Sequence, residues 1–544
     1  MRILLLIHGF NALSQRVFVA LQAAGHEVSI EFDINDELTR EAVALFQPDV
    51  ILCPYLKRAI PDDIWQNHLC LIVHPGVVGD RGPAALDRAI LRDEPRWGVT
   101  VLQAVADMDA GPVWASREFD MRAATKSSLY RSEVADGALE AIFEALDKAE
   151  GETVPLRPML PSLKQAERAI DWAVDDTETV LRKIRAADGV PGLRDGEYYL
   201  YDAHEAPLQG NAGEIIATSG PAICRATVDG AVWVGHMRAV GAGFKLPATM
   251  LLQPDVPEIA LDSATGYREI SYREAGCVGY LRFNFYNGAM STGQIERLLG
   301  AYRDACTRPT KVIVFEGGDD FWSNGIHLNT IEAATSAADE SWRNINAMDD
   351  LAEAIIRTDN HLTVAAMGAN AGAGGVFLAR ACDRVWVIRS ITLNPHYKDM
   401  GNLYGSEFWT YLLPRYCGAA NAARIAAQRL PIGAIEAVAL GLADAAYGHS
   451  RAGFDAETAT RAQVLADNYC ALMAEKQARR AADEAQKPLA TYRAEELKKM
   501  HRNFFGFDPS YHVARYNFVH KVCKSRTPVT LARHRDKRFE RKAS

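Results

Sequence analysis

Leu71-Ile72-Val73-His74-Pro75-Gly76-Val77-Val78-Gly79-Asp80-Arg81-Gly82 is an apolar run that stops at a titratable side chain and turns at once on Pro and Gly. Such a run reads as a buried strand, and the residue at its end is the one an open α/β sheet presents to its ligand crevice. The same pattern repeats on both sides. Arg2–Ile7, Glu27–Phe32, Val50–Pro54, Cys70–Val73 and Val99–Ala104 read as strands, with amphipathic helices between most of them. That alternation builds an open, mostly parallel sheet. The opening Met1-Arg2-Ile3-Leu4-Leu5-Leu6-Ile7 runs into His8-Gly9-Phe10 with no small-residue cleavage site, so it reads as the first strand and not as a signal peptide. A single Gly9 follows it, which leaves no G-x-G-x-x-G dinucleotide fingerprint.

Beyond about residue 165 the texture changes. A helix over Thr177–Ala187 leads into the turn Gly189-Val190-Pro191-Gly192 and then short alternating strands to about Lys245, the pattern of a small α+β or barrel-like module. Pro247–Ala264 has three prolines and no strong period, and is expected to be the main linker. Strand and helix signals resume at Arg268, with Cys277–Phe285, Gln294–Thr307 and Lys311–Glu316. After Ala445 the pattern is almost wholly helical and ends in a basic run, which reads as a solvated tail or as a site for an anionic ligand. The expected domains are 1–165, 166–250, 265–455 and 456–544. A chain of 544 residues needs several cores in any case.

Composition narrows the function classes. Sixty Lys plus Arg against 69 Asp plus Glu give a net charge of −9 and a pI near 5.9, which argues against a nucleic-acid coat and gives no membrane surface to expect. No apolar stretch approaches the roughly 20 residues of a spanning helix. Nine cysteines without a C-x-x-C or zinc-type spacing read as reduced and structural, with no metal site and a cytoplasmic setting.

Three segments of the first half carry titratable or turn residues at strand ends: the opening stretch, Gly98-Val99-Thr100-Val101 leading to Asp107-Met108-Asp109-Ala110-Gly111-Pro112, and Pro48-Asp49-Val50-Ile51-Leu52-Cys53-Pro54-Tyr55-Leu56. A His on one strand end and an Asp on the next loop suit an acyl transfer in which the imidazole moves a proton and the carboxylate orients it. A His before a Pro is more often a turn residue than a catalyst. His74-Pro75, Arg81-Gly82 and Asp109-Ala110-Gly111-Pro112 resemble, in order and rough spacing, the formyl-tetrahydrofolate transferase/hydrolase family. Ile170-Asp171-Trp172 and Ile184-Arg185-Ala186 resemble the C-terminal part of methionyl-tRNA formyltransferases. The resemblance implies His74 as catalytic histidine and Asp109 as its carboxylate. It also implies a folate pocket formed by Tyr55, Leu56, Lys57 and Ala59 with Val105, Met108 and Asp109. The family's Asn, two residues before the His, is Ile72 here, a lost donor worth about 3–4 kcal/mol in comparable oxyanion holes. Transfer to a thiol tolerates that loss better than transfer to an amine, because thiolate is the stronger nucleophile.

In the second half, Phe321-Trp322-Ser323-Asn324-Gly325-Ile326-His327-Leu328 and Val364–Leu378, with Gly368, Gly372, Gly374 and Gly375, each leave a strand through glycines and open a helix. Two helix N-termini supply free N–H groups for an oxyanion hole if they converge; close packing of turns explains the glycines as well. These stretches, with Ile435-Glu436-Ala437 and Gly441-Leu442-Ala443-Asp444, resemble the enoyl-CoA hydratase/isomerase (crotonase) superfamily. That implies a spiral fold, coenzyme A as ligand, and Ile326 and Gly374 as oxyanion amides. Gly325, Ile326, Gly374, Lys126 and Arg131 are the candidate CoA contacts. The hydratase glutamates fall on Phe377 and Tyr397, so ordinary hydration is not expected. Tyr397 and Glu407, the latter in Gly405-Ser406-Glu407-Phe408-Trp409, are the candidate polar pair in their place. Glu407 also reads as a plain complement to its helix's N-terminus.

The whole arrangement, a multidomain α/β chain joining a formyltransferase-like sheet and barrel-like module to a crotonase-like spiral with a helical tail, resembles the HypX/HoxX-type hydrogenase maturation factors. What this implies is carbon monoxide for the nickel–iron hydrogenase. The formyl group would pass from 10-formyl-tetrahydrofolate to coenzyme A, and formyl-CoA would then split into carbon monoxide and CoA, with hydrogenase maturation proteins as partners. Two alternatives stand beside it: a formyl-tetrahydrofolate hydrolase with a non-catalytic second half, and a folate- and CoA-binding scaffold.

Overall fold

The computed structural model describes residues 1–241 and 243–536. The chain divides into two compact units. One is Met1–Tyr267 together with the chain from Cys523 onward, and the other is Arg268–Val522.

The first unit begins with a six-stranded sheet of β1 (Arg2–Ile7), β2 (Glu27–Phe32), β3 (Val50–Cys53), β4 (Cys70–His74), β5 (Arg96–Gln103) and β6 (Val113–Asp120), in spatial order β2-β1-β3-β4-β5-β6. Leu4, Leu5, Ile51 and Leu52 are wholly buried, as strands covered on both faces require. Pairing is parallel from β2 to β4 and antiparallel from β4 to β6. The sequence reading missed β6, whose Glu118 and Asp120 are exposed and break the apolar pattern. His74 closes β4 and pairs in register with Thr100 of β5, so the antiparallel turn of the sheet places it.

The second module is an antiparallel sheet of β7 (Leu193–Asp195), β8 (Tyr198–Ala206), β9 (Ile215–Ser219), β10 (Ala222–Ala226) and β11 (Ala231–Ala239), in order β7-β8-β11-β10-β9, with β12 (Leu246–Pro247) beside β11. The helix Thr177–Ala186 covers it with Val180, Leu181 and Ile184. Pro247–Ala264 is not a free linker. Ile259 N–H donates to Thr218 O (2.8 Å), Thr218 N–H donates to Pro257 O (3.0 Å), and Ile259 and Leu261 pack on the Trp233 cluster.

In the second unit, β13 (Ile270–Ala275) and β14 (Val278–Phe283) form a hairpin, and β15 (Val312–Glu316) continues in parallel. From there the chain alternates between two sheets. β16 (Phe321–Ser323) lies in a small second sheet, β17 (Leu362–Met367) in the main one, β18 (Asn370–Gly372) in the small one, β19 (Arg384–Ile388) in the main one and β20 (Thr392–Asn394) in the small one. β21 (Ile432–Gly433) closes the small sheet and β22 (Ala445–Tyr447) the main one. Each parallel strand thus turns into a short strand before its helix, the repeat of a spiral fold.

The domain boundary expected at 455 is corrected by packing. Phe454, Met473, Leu489, Met500, Phe504 and Tyr511 share one core with the spiral, so the helices to Val522 belong to it. The described part of the basic tail returns to the first unit and is not simply solvated. Arg535 Nη1 and Thr527 Oγ1 reach the fully buried Glu31 carboxylate (2.6 and 2.7 Å), His534 Nδ1 lies 2.7 Å from Ser29 Oγ, and Ile30 N–H donates to Leu531 O (3.1 Å). A buried carboxylate on β2 needs those partners, and the described part of the tail brings them. The basic residues from Lys537 to Lys542 lie outside the described residues.

Candidate active sites

In the first unit the imidazole of His74 is buried between two carboxylates. Its Nε2 lies 2.9 Å from Asp80 Oδ2, and its Nδ1 lies 3.5 Å from Asp109 Oδ2. Asp109, in a left-handed conformation (φ 53°), accepts the Gly82 N–H on the same oxygen (3.0 Å), and Arg81 Nε donates to Met108 O (2.9 Å). The turn after His74 therefore ties down the Val105–Asp109 loop. Gly76 has no room for a side chain: a Cβ there would lie 2.4 Å from His74 Nε2 and 2.7 Å from Asp80 Oδ2. Thr100 Oγ1 holds this turn by donating to Gly76 O (2.8 Å). Asp80 is the closer partner, and the sequence reading missed it. It lies in the quoted stretch, but only the Pro75-Gly76 turn signals that the chain folds back on the ring.

The Tyr55–Ala59 loop hangs on Asp33. Oδ2 of Asp33 accepts the N–H groups of Lys57 and Arg58 (3.2 Å each), its Oδ1 lies 2.8 Å from His8 Nδ1, and His8 N–H donates to Tyr55 O (2.7 Å). Tyr55 and Leu56 are half-buried, whereas Lys57 and Ala59 are exposed. Val105 is half-buried and Met108 exposed. Ile72 packs against the apolar cluster of Leu4, Ile51 and Cys70. Lys126 is ion-paired with Asp87 (3.1 Å), which also takes Arg168, and the Arg131 carbonyl accepts from Arg16 Nη1 (3.3 Å).

In the second unit the two glycine turns converge. A Cβ on Gly325 would lie 3.4 Å from the Gly374 nitrogen. Gly325 O accepts the Met290 N–H (2.9 Å), so the planar peptide turns the Ile326 N–H to the opposite side. A Cβ on Gly374 would stand 2.1 Å from Glu407 Oε1, so the glycine lets the Glu407 carboxyl lie against the helix Gly374–Arg380. Tyr397 OH lies 2.5 Å from Glu407 Oε2 and 3.2 Å from Ser406 O, and the Phe377 and Tyr397 rings stand 5.6 Å apart. Gly325, Ile326, Gly374, Phe377, Tyr397 and Glu407 thus form one cluster.

Glu407 and Phe408 both have left-handed backbone (φ 59°), and the next helix, Trp409–Ala427, starts after them. Glu407 is fully buried in this cluster. Burial, and then the charge of Asp349, push its carboxyl up to about 8. Burial likewise lifts Asp349 to about 6 and Glu496 to about 8, and holds the Tyr397 phenol well above its ordinary value. Asp349, on the helix Ala337–Arg357, and Glu496, on the helix Leu489–Phe505, were not legible in the sequence. They lie 57 and 90 residues from Ser406, and no local spacing links them to it. Among the described residues, no group of three or more His, Cys, Asp or Glu is arranged to hold a metal ion, and no helix is long and apolar enough to cross a membrane.

Family models match the chain in three stretches: formyl transferase over residues 1–146, the formyl transferase C-terminal domain over 162–243, and enoyl-CoA hydratase/isomerase over 278–521. Fold and sites therefore define a formyltransferase-type unit fused to an enoyl-CoA hydratase/isomerase-type unit. Over 555 aligned residues the chain is 55% identical to the hydrogenase maturation factor HoxX of Bradyrhizobium diazoefficiens, covering 99% of this chain and 98% of that one. A crystal structure of HypX from Aquifex aeolicus in complex with tetrahydrofolic acid is 45% identical, with a TM-score of 0.96 over 99% of both chains. Methionyl-tRNA formyltransferase of Thermotoga neapolitana is 27% identical over 30% of this chain and 54% of its own length. The chain belongs to the HypX/HoxX family of hydrogenase maturation factors.

Proposed function

We propose that the protein makes carbon monoxide for hydrogenase maturation in two steps joined by coenzyme A. In the first, the thiol sulfur bonds to the formyl carbon of 10-formyl-tetrahydrofolate as the bond to the folate nitrogen breaks. The nitrogen gains the proton that the thiol loses, and His74 carries it, with Asp80 fixing the ring and Asp109 facing its other nitrogen. Tyr55, Leu56, Lys57 and Ala59, with Val105, Met108 and Asp109, frame the folate. The tetrahydrofolic acid in the HypX crystal structure supports this reading. Lys126 and Arg131 are assigned to CoA; for Lys126 this means exchanging Asp87 for a phosphate.

In the second step the amides of Ile326 and Gly374 hold the thioester carbonyl. Glu407 takes the formyl proton, and the C–H electron pair stays on carbon. The C–S bond breaks with its pair on sulfur, Glu407 returns the proton to the thiolate, and carbon monoxide leaves. No water is consumed. Tyr397 holds the Glu407 carboxyl, and Phe377 keeps the side dry where a hydratase carries a carboxylate. A carboxyl lifted to about 8 is a base strong enough for a weak acid and still returns its proton near neutrality.

The observation that carries the reading is the Glu407 carboxyl lying on Gly374 with Tyr397 OH at 2.5 Å, a proton-handling pair at the thioester amides without the hydratase carboxylates. Setting is the cytoplasm, and the recipients are hydrogenase maturation proteins. Purified protein is incubated with 10-formyl-tetrahydrofolate, with and without CoA, and gas is trapped on haemoglobin. CoA-dependent carbon monoxide is expected; CoA-independent formate, or no product, contradicts the proposal.

A further inference from the structure

A helix N-terminus attracts a carboxylate, and Glu407, two residues before the first helical residue Trp409, is the obvious candidate to serve it. It does not do so. The Phe408 N–H donates to Glu496 Oε2 (3.0 Å), the Thr410 N–H donates to Glu496 Oε1 (2.9 Å), and the Thr410 hydroxyl reaches the same oxygen. The N–H of Glu407 itself donates to Asp349 Oδ1 (2.8 Å). Every one of these backbone donors is met by a carboxyl from a different helix; the Glu407 carboxyl accepts the Ser406 N–H (3.2 Å), one residue back, and otherwise lies on Gly374 and Tyr397.

Ser406 joins the two supporting groups. Its Oγ lies 2.7 and 2.8 Å from the Asp349 oxygens and 3.3 Å from Glu496 Oε2. A hydroxyl has one proton to give, so both contacts are satisfied when one carboxyl is protonated. The charged and titratable groups facing Glu407 are few. Asp349 comes from the helix Ala337–Arg357, with Asp350 and Glu353 behind it. Glu496 and Arg493 come from the helix Leu489–Phe505, and Tyr397 from the segment before Glu407. Arg493 spends its guanidinium on Asp350 (2.6 Å) and Glu353 (2.8 Å) and approaches Asp349 only to 4.0 Å. Arg493 is thus committed to Asp350 and Glu353 and does little to offset the charge of Asp349 beside Glu407.

We propose that Asp349 and Glu496 are positioning residues of the Glu407–Tyr397 centre: they take over the helix N-terminus and the left-handed Glu407–Phe408 backbone, which frees the Glu407 carboxyl to face the thioester amides. The helix Leu489–Phe505 is then part of the reaction centre and not an appended tail. Their second effect is electrostatic, since each, when ionised, adds negative charge that favours a proton on Glu407. The inference rests on the decarbonylation reading only for what Glu407 does once freed.

The test is infrared difference spectroscopy of the full chain across pH without substrate, in which protonated carboxyls give separate bands and the Glu407 band is the one lost in Glu407→Gln. In Asp349→Asn and Glu496→Gln the midpoint of that band moves to lower pH by about one unit, a tenfold change in proton affinity, and the pH profile of gas release moves with it. Ser406→Ala removes only the bridging hydroxyl and shifts the band in the same direction by less, which keeps the test open where a larger substitution does not fold. A Glu407 band that stays in place in folded variants overturns the proposal, whether or not activity falls, because a merely structural role lowers activity without moving it. The band is read without formyl-CoA, so a parent protein that releases no gas counts against decarbonylation alone.

Discussion

His74 owes its nearer partner to a missing side chain. Gly76 passes so close to the imidazole that any Cβ would press on both His74 Nε2 and Asp80 Oδ2, and the Thr100 hydroxyl pins the glycine carbonyl in place. Gly76→Ala is therefore expected to part the pair with little change in the apolar core beneath. Formyl transfer to CoA, followed as tetrahydrofolate formation, falls by about 10²-fold or more, the size of effect that loss of a proton-shuttling group brings. Asp80→Asn, which keeps the shape of the side chain, gives a similar loss. Parental rates in both would show that Asp80 has no part in the transfer. At this scale legibility follows sequence distance. His74, Asp109 and Glu407 stand in or beside glycine-marked turns that the eye can find, and Tyr397 is reached only through the crotonase resemblance, counting back from Gly401, whereas Asp349 and Glu496 sit mid-helix, where a carboxylate ordinarily reads as a solvated face.

At the scale of elements, the helices Ala337–Arg357 and Leu489–Phe505 bring two carboxyls to the segment before the helix Trp409–Ala427, and a third comes from that segment itself. Folding raises all three above their ordinary values: Glu407 and Glu496 to about 8, and Asp349 to about 6. A carboxyl whose folded value is raised gives its full stability at acid pH and loses it as pH climbs through the folded value. The second unit is accordingly expected to weaken between about pH 5 and about pH 8, by an amount on the order of a few kcal/mol. Denaturant unfolding of parent and Glu407→Gln across this range checks it. The difference in stability between them changes in favour of the variant as pH rises; parallel pH curves would contradict the buried, coupled state of Glu407. The sequence marked this segment by its glycines and aromatics. It could not show the left-handed backbone at Glu407 and Phe408, because two non-glycine residues in that conformation are held there by hydrogen bonds from distant helices.

Across the whole molecule, the order of modules was legible because each carries its own period and glycine signature, and the three family matches fall in that order. The ends of the units were not. The helices after residue 455 share the spiral's core through scattered apolar residues, and the tail reads as surplus charge until Glu31 is seen buried on β2 with Arg535 and Thr527 against it. With one half-reaction proposed for each unit, the two must fail separately. His74→Ala and Glu407→Gln are each given 10-formyl-tetrahydrofolate plus CoA and, separately, synthetic formyl-CoA, with carbon monoxide trapped and formyl-CoA quantified. His74→Ala is predicted to release gas from formyl-CoA at about the parental rate and none from the folate donor, while Glu407→Gln accumulates formyl-CoA and releases gas from neither. A His74→Ala protein that leaves formyl-CoA intact, or a Glu407→Gln protein that releases gas at the parental rate, would contradict the division of labour.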